Sequence, residues 1–138
     1  MASREHGRQL LAKLWEEVGT DDDPLYRVAL AHAMADLQDD PREELAWDLR
    51  AMHAADSVTD ARAAQAGLCS PVAALYPSLH LNLGEDHRKL GDLPAARRHL
   101  ELGQAAATAL SDDGYGRMIK GGLDRLASRL AETDAPSS

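Results

Sequence analysis

Residues 24–41, PLYRVALAHAMADLQDDP, align without a gap with residues 77–94, PSLHLNLGEDHRKLGDLP. Prolines, leucines and aspartates recur at matching positions: Pro24 with Pro77, Pro41 with Pro94, Leu30 with Leu83, Leu37 with Leu90, and Asp39 with Asp92. A fixed offset between two helix-patterned stretches is typical of stacked helical hairpins, because each hairpin has an apolar face that a neighbouring copy covers. The sequence therefore predicts an all-α helical-repeat protein.

The pattern of apolar and helix-starting residues divides the chain into segments, which we expect to form one domain over 1–133. Asp23 followed by Pro24 is typical of an N-cap and the first helical residue, and Pro41 predicts the next helix start. A later helix is expected to begin near Pro71 or Pro77, with Pro77 marking either a break or a kink. The predicted segments are an N-terminal helix at 7–18, a degenerate repeat at 24–55, an irregular insertion at 56–76, the best repeat at 77–110, a capping helix at 115–131 and a disordered tail at 134–138.

Apolar spacing also predicts the buried face of two helices. In the helix that starts at Pro41, the face packed on the preceding helix is expected to hold Leu45, Trp47, Leu49 and Met52. In the last helix, the buried positions are expected to be Met118, Ile119, Leu123, Leu126 and Leu130. Gly121-Gly122 lies within that pattern, so it predicts close packing of the last helix rather than a phosphate-binding loop.

Residues 77–110 resemble a tetratricopeptide repeat. The positions that carry the resemblance are Leu83-Gly84, Gly91 seven residues later, and then Ala96, Leu100 and Gly103. Residues 24–55 keep less of the pattern: Ala31 is small, Gln38 replaces the turn glycine, Glu43 replaces the small residue of the second helix, and Trp47 takes the large apolar position. The helix-ending proline of the family is missing from both copies, and the offset of 53 residues exceeds one repeat of about 34 residues.

The resemblance implies antiparallel helical hairpins stacked as a short right-handed solenoid with a C-terminal capping helix. It also implies a protein–protein interaction module, an adaptor or regulatory subunit that holds a peptide or helix of a partner protein in a concave groove. The groove candidates are His32, Leu81, Asn82, Glu85, Arg88, Lys89, Arg117 and Lys120. In some members of the family, asparagine and cationic side chains clamp a ligand carboxylate. The full clamp is absent here, and ordinary solvated side chains are the simpler interpretation.

The alternative function is a self-associating or small-ligand-binding helical bundle without catalytic activity. In that interpretation, residues 56–76 fold over the groove and form a pocket or the face of a homodimer. An open groove favours the interaction module, whereas a groove filled by this segment or by a second copy favours the bundle.

Several function classes are disfavoured by composition and motifs. The net charge of −8 and the lack of any basic stretch beyond Arg88-Lys89 and Arg97-Arg98 argue against nucleic-acid binding. No nucleophile elbow, phosphate loop or metalloprotease helix is present, so we expect neither catalysis nor a cofactor. A single cysteine, Cys69, and the lack of a long apolar run predict a cytoplasmic protein that is not bound to a membrane.

Three histidines fall on the two helices of the second hairpin. His80 and His87 are separated by seven residues, or about 10 Å along a helix axis, which is too far for one metal ion to bind both directly. His87 stands where the tetratricopeptide family often has tyrosine, so it is interpreted as a packing residue. The sequence therefore predicts no metal site, and it makes no specific prediction for His99.

Overall fold

The computed structural model describes residues 2–18, 23–67 and 72–134, and every regular element in these ranges is helical. The all-α prediction is confirmed. The helices are α1 (Ala2–Glu17), α2 (Pro24–Asp36), α3 (Pro41–Ala55), α4 (Asp60–Gln65), α5 (Tyr76–Lys89), α6 (Leu93–Ala106) and α7 (Gly114–Asp134), with 3-10 turns at Val72–Leu75 and Ala107–Ala109. The chain divides into two compact units, Met1–Val72 (unit 1) and Ala73–Ser138 (unit 2). The single domain over 1–133 stays a prediction.

Aspartate caps and first-turn prolines start the helices of the internal repeat. The carboxylate of Asp23 accepts a hydrogen bond from the Leu25 amide at 3.1 Å, and that of Asp40 accepts one from the Arg42 amide at 3.0 Å. Both predicted helix starts, at Pro24 and Pro41, are therefore confirmed. Pro77 lies in the first turn of α5, where its missing amide hydrogen breaks no helical hydrogen bond.

Other predicted bounds differ from the structure. The first helix begins at Ala2, well before the predicted residue 7. The short helix in the insertion 56–76, α4, has Thr59 as its N-cap and ends before Gly67, which agrees with the cap residues at 57–60 and the terminal glycine in the sequence. Pro71, Cys69 and residues 135–138 of the predicted tail lie outside the described residues.

The end of α2 is fixed by arginines from α1. The guanidinium groups of Arg4 and Arg8 donate hydrogen bonds to the Leu37 carbonyl at 3.2 and 3.0 Å, and both arginines pair with Asp39 at 3.2 Å. Cations are favourable beside the last carbonyls of a helix because these groups have no helical partner and carry the negative end of the helix dipole. The contact therefore stabilises the end of α2, which lies at the same repeat position as the end of α5.

Unit 1 is built around the hairpin of α2 and α3, on which α1 packs. Its core consists of small side chains such as Ala31, Ala51 and Ala55, with Trp47 as the largest buried piece. The Trp15 ring of α1 meets the Trp47 ring edge to face, with 5.3 Å between centroids. Leu49, which the spacing predicted to be buried, is 48% exposed, so the buried face of α3 is narrower than predicted.

Unit 2 is a hairpin of α5 and α6 with α7 packed against both helices. Its most deeply buried side chains include Leu83, Leu123 and Leu126. Two helical glycines of the repeat allow this packing: a Cβ at Gly84 would lie 2.7 Å from Leu126 Cδ2, and one at Gly103 would lie 2.9 Å from Leu123 Cδ2. Methyl groups of α7 therefore occupy the space that side chains at these glycines would need.

The last helix differs from its predicted face at one end. Four of the five predicted core positions of α7 are buried, but Met118 is 59% exposed. Gly122 packs closely as predicted, since a Cβ there would lie 2.6 Å from Leu81 Cδ2. None of the helices in the described ranges combines the length and the apolar run that a bilayer span requires.

Candidate functional site

The candidate groove face of α5 is largely engaged within unit 2. Leu81 contacts Gly122 and packs against the two core clusters that contain Leu126 and Leu123. Its side chain is half-buried and contributes mainly to the packing of α7. An apolar ligand would therefore find little of Leu81 to contact.

Glu85 and Arg88 belong to an internal ion-pair network. The Glu85 Oε2 atom accepts hydrogen bonds from Arg88 Nε at 3.2 Å and Nη2 at 3.0 Å, and its Oε1 atom accepts one from Arg129 Nη1 at 2.5 Å. Both Arg88 bonds converge on one carboxylate oxygen, so the contact is charge-assisted but lacks the two parallel bonds of a bidentate pair. The charge of Arg88 is thus matched by a carboxylate of the same helix.

The other candidate residues belong to three different helices. His32 lies exposed on α2 of unit 1, with its Nε2 atom 3.6 Å from Asp36 Oδ2. Asn82 is half-buried on α5, and Lys89 is exposed at the end of that helix. Arg117 is exposed on α7 and pairs with Asp112 at 3.4 Å.

Lys120 lines a cleft of unit 2. The cleft has a volume of about 380 Å³ and lies between the end of α6 and the middle of α7. Its lining consists of Gln104, Ala107, Thr108, Lys120, Leu123 and Asp124. It is wide open to solvent, so it is a surface depression rather than an enclosed pocket.

The cleft combines an apolar lining with polar side chains of several kinds. Ala107 and Leu123 are buried, whereas Gln104 and Lys120 are exposed and carry an amide and a cation. Asp124 follows Lys120 by one helical turn on α7, so the cation and the anion lie on the same face of that helix. The cleft therefore offers an apolar surface, an amide and both signs of charge to a ligand.

Local structure explains the shape of the α6 side of the cleft. The α-helix ends at Ala106 and continues as a 3-10 turn over Ala107–Ala109, after which Leu110 is extended. The Thr108 hydroxyl donates a hydrogen bond to the Ala105 carbonyl at 3.0 Å. Its donor is therefore used within the helix end, and its oxygen still has capacity to accept.

A second group of chemically active side chains is the histidine cluster, His80, His87 and His99, at the α5–α6 interface. The Nδ1 atoms of His80 and His99 lie 3.1 Å apart, and the two ring centroids are 5.3 Å apart. The His87 ring stacks almost parallel to the His99 ring, with 5.5 Å between centroids. The Nδ1 atom of His87 lies 3.8 Å from Asp92 Oδ2.

The environment of His99 disfavours its charged form. Its pKa lies below the ordinary value, first because the ring is partly buried and then because His80, His87 and Arg98 add positive charge nearby. His99 is therefore mainly neutral at pH 7. The sequence pattern places the three histidines on one hairpin, but the spacing along one helix relates only His80 to His87. The missed signal is the pairing of each histidine with a glycine four residues later, as in His80 with Gly84 and His99 with Gly103.

Comparison with protein-family models, curated proteins and solved structures finds no match for this chain. The tetratricopeptide resemblance therefore stays a prediction from the sequence.

Proposed function

We propose that this protein is a tetratricopeptide-like interaction module that binds a segment of a partner protein in the cleft between α6 and α7. The observation that carries the proposal is the cleft itself, with Leu123 and Ala107 in its lining and Lys120 and Asp124 as its charged side chains. The cleft is built on packed antiparallel helices, which are the unit that the solenoid implied by the resemblance would repeat. The binding surface differs from the groove that the sequence suggested, which was lined by the first helix of each hairpin.

The α5 face is a weaker candidate for the binding surface. Leu81 packs under α7, and the charges of Glu85 and Arg88 are matched by each other and by Arg129. A ligand that used these side chains would have to break contacts within unit 2. The cleft requires no such cost, because Lys120 and Asp124 already lie at its surface.

The lining defines the chemistry of the expected partner segment. Leu123 and Ala107 are 2% and 7% exposed. An apolar side chain of the partner would therefore contact mainly the aliphatic parts of Gln104, Thr108 and Lys120 above them. A carboxylate of the partner would pair with Lys120, and a basic or amide group would bind Asp124. We therefore expect a short amphipathic segment that carries charges of both signs beside one or two apolar side chains.

The proposal can be tested with charge reversal at two positions of one helix. Lys120→Glu changes the cleft, whereas Arg117→Glu is the matched control, because it is also an exposed cation of α7 but does not line the cleft. Proteins retained from the source cells by the wild-type chain would be identified, and the affinity of the purified partner would be measured for all three chains. We expect Lys120→Glu to weaken binding roughly tenfold or more and Arg117→Glu to change it little.

A third variant tests the cleft without relying on charge alone. Thr108→Arg adds a long side chain at an exposed position of the cleft, so it should block the partner without disturbing the core. Equal binding by Thr108→Arg and the wild type would contradict the proposal, as would equal losses in Lys120→Glu and Arg117→Glu. If the wild type forms a dimer and Thr108→Arg is a monomer, the cleft is a self-association surface, and the alternative function replaces this one.

A further inference from the structure

The strongest chemical feature outside the cleft is the contact between His80 and His99. Their Nδ1 atoms face each other across the α5–α6 interface at 3.1 Å. Both side chains are half-buried, so each keeps some solvent-exposed surface. Imidazole nitrogens are preferred ligands of the later first-row transition metals.

We propose that His80 and His99 form a two-histidine binding site for one late first-row divalent metal ion, such as Cu²⁺, Ni²⁺ or Zn²⁺. The Nδ1 atoms are the two protein ligands, and water completes the coordination sphere. The site is distinct from the cleft between α6 and α7, and it does not depend on the function proposed for that cleft.

The separation of the two nitrogens fits a shared ion. A metal ion bound at about 2.0–2.1 Å from each nitrogen, with the nitrogens 3.1 Å apart, subtends an angle of about 100° between them. This angle lies between the values for square-planar and tetrahedral ligands, which are about 90° and 109°. Binding requires a reorientation of the two rings, so that both lone pairs point at the ion.

The two helices hold the ligands in place through a reciprocal contact. A Cβ at Gly103 would lie 3.3 Å from the Cβ of His80, and a Cβ at Gly84 would lie 3.7 Å from the Cβ of His99. Each histidine therefore stands over a glycine of the opposite helix, which brings the two rings together. Ligands that are positioned before binding lose less conformational entropy when the ion binds.

The protonation of the pair also suits a metal ion. As long as the two rings are hydrogen-bonded, one Nδ1 atom carries the shared proton and the other accepts it. When the ion binds, that ring loses its proton from Nδ1 to water and takes one up from water at Nε2, so both rings stay neutral and carry their proton on Nε2.

His87 lies beside the site without being one of its two ligands. Its ring is parallel to the His99 ring, with an interplanar angle of 4° and 5.5 Å between centroids. The sequence predicted no metal site because the prediction considered only the distance between His80 and His87 along one helix. The pair proposed here, His80 with His99, forms across the hairpin.

The test uses Cu²⁺ alone as the probe and removes competing histidines. His6, His32 and His53 are exposed in unit 1, and replacing all three with glutamine leaves only the histidine cluster of unit 2. We expect this triple variant to bind one Cu²⁺ ion per chain with the wild-type affinity at neutral pH. The further change His80→Gln or His99→Gln should weaken that binding roughly tenfold or more, because one of two ligands is lost. Zn²⁺ and Ni²⁺ should compete for the site, whereas Mg²⁺ should not.

Electron paramagnetic resonance of the bound Cu²⁺ gives a second measurement that does not need the unit 2 variants to fold. Two imidazole nitrogens should appear in the spectrum of the triple variant. A spectrum with fewer than two imidazole nitrogens would overturn the proposal. The proposal would also be overturned if the triple variant did not bind the ion. It would be overturned as well if the triple variant with the further change His80→Gln and the one with His99→Gln both folded and kept the same affinity for Cu²⁺.

Discussion

The Cδ2 atom of Leu126 occupies the position that a side chain at Gly84 would need, since a Cβ at Gly84 would lie 2.7 Å from it. Leu126 has no exposed surface and is held in the core of unit 2 with Ala96 and Leu130. The glycine that carried the sequence resemblance therefore has a physical function, which is to let α7 approach the hairpin. Gly103 has the same relationship to Leu123, because a Cβ at Gly103 would lie 2.9 Å from Leu123 Cδ2.

We predict that Gly84→Ala destabilises the protein, because adding a methyl group to a packed core usually costs about 1–3 kcal/mol. The gain in helix propensity, about 1 kcal/mol, reduces the net loss to at most about 2 kcal/mol. Unfolding in urea, followed by circular dichroism, measures the difference. Gly121→Ala is the matched control, because a Cβ there meets only the flexible end of Arg125 at 3.4 Å. That control should be neutral or stabilising by about 0.5–1 kcal/mol, and equal destabilisation by both changes would show that packing is not the cause.

We predict that acidification below about pH 6.5 destabilises unit 2 through the histidine cluster. The pKa of His99 is lower in the folded chain than in the unfolded one, so the unfolded chain binds more protons in this range. Stability therefore rises with pH through the window between the two pKa values and falls as the pH drops through it. Melting temperatures between pH 7.5 and 5, measured with a chelator present, test this.

His99→Gln should flatten that pH dependence, whereas His53→Gln, at an exposed position of unit 1, should leave it unchanged. The groups that face His99 are His80, His87 and Arg98, and their positive charge adds to the effect of burial. If His99→Gln keeps the full wild-type slope, the effect has to be assigned to other groups.

We predict that the interaction between Asp23 and Arg62 has two separable parts. The Asp23 carboxylate caps α2 and pairs with Arg62 next to the start of α4, and the hydrogen bond from Arg62 is the main reason why the pKa of Asp23 is lowered. Asp23→Asn keeps a capping oxygen but removes the charge, whereas Asp23→Ala removes both. The melting temperature should fall in the order wild type, Asp23→Asn, Asp23→Ala.

Salt separates the two contributions of Asp23. High salt should narrow the difference between the wild type and Asp23→Asn, because it screens an ion pair that is partly exposed to solvent. It should leave the difference between Asp23→Asn and Asp23→Ala nearly unchanged. A uniform response of all three chains to salt would argue against the ion pair.

We predict an energetic coupling between Trp15 and Trp47, whose rings meet edge to face at an interplanar angle of 83°. A double-mutant cycle with leucine at each position should give a coupling of about 0.5–1.5 kcal/mol, the range for aromatic pairs of this geometry. Trp47 should be the more costly single change, because it is buried, whereas Trp15 is only half-buried. Additive single changes would mean that each ring packs independently of the other.

Local sequence signals predicted the helix starts well. Asp23, Asp40 and Pro41 act within a few residues of their own position, and a capping hydrogen bond needs no distant partner. The same holds for Gly91, whose φ of 82° makes the turn after α5 and which the repeat pattern had marked as a turn glycine.

Signals that depend on distant partners were harder to interpret. The contact of Arg4 and Arg8 with the end of α2 joins two helices, and no periodicity within α2 contains that information. Leu81 has the pattern of a groove residue, but α7 covers it. The contact between His80 and His99 forms across two helices, so the distance between histidines along one helix does not show it.

The edge-to-face pair of Trp15 and Trp47 also has a practical use, because these are the only two tryptophans of the chain and both belong to unit 1. Indole fluorescence excited at its red edge therefore reports on unit 1 alone. The imidazole proton resonances of the histidine cluster report on unit 2. The protein carries a native optical label in one half and a native magnetic label in the other, so the melting of each half can be followed in a single unlabelled sample.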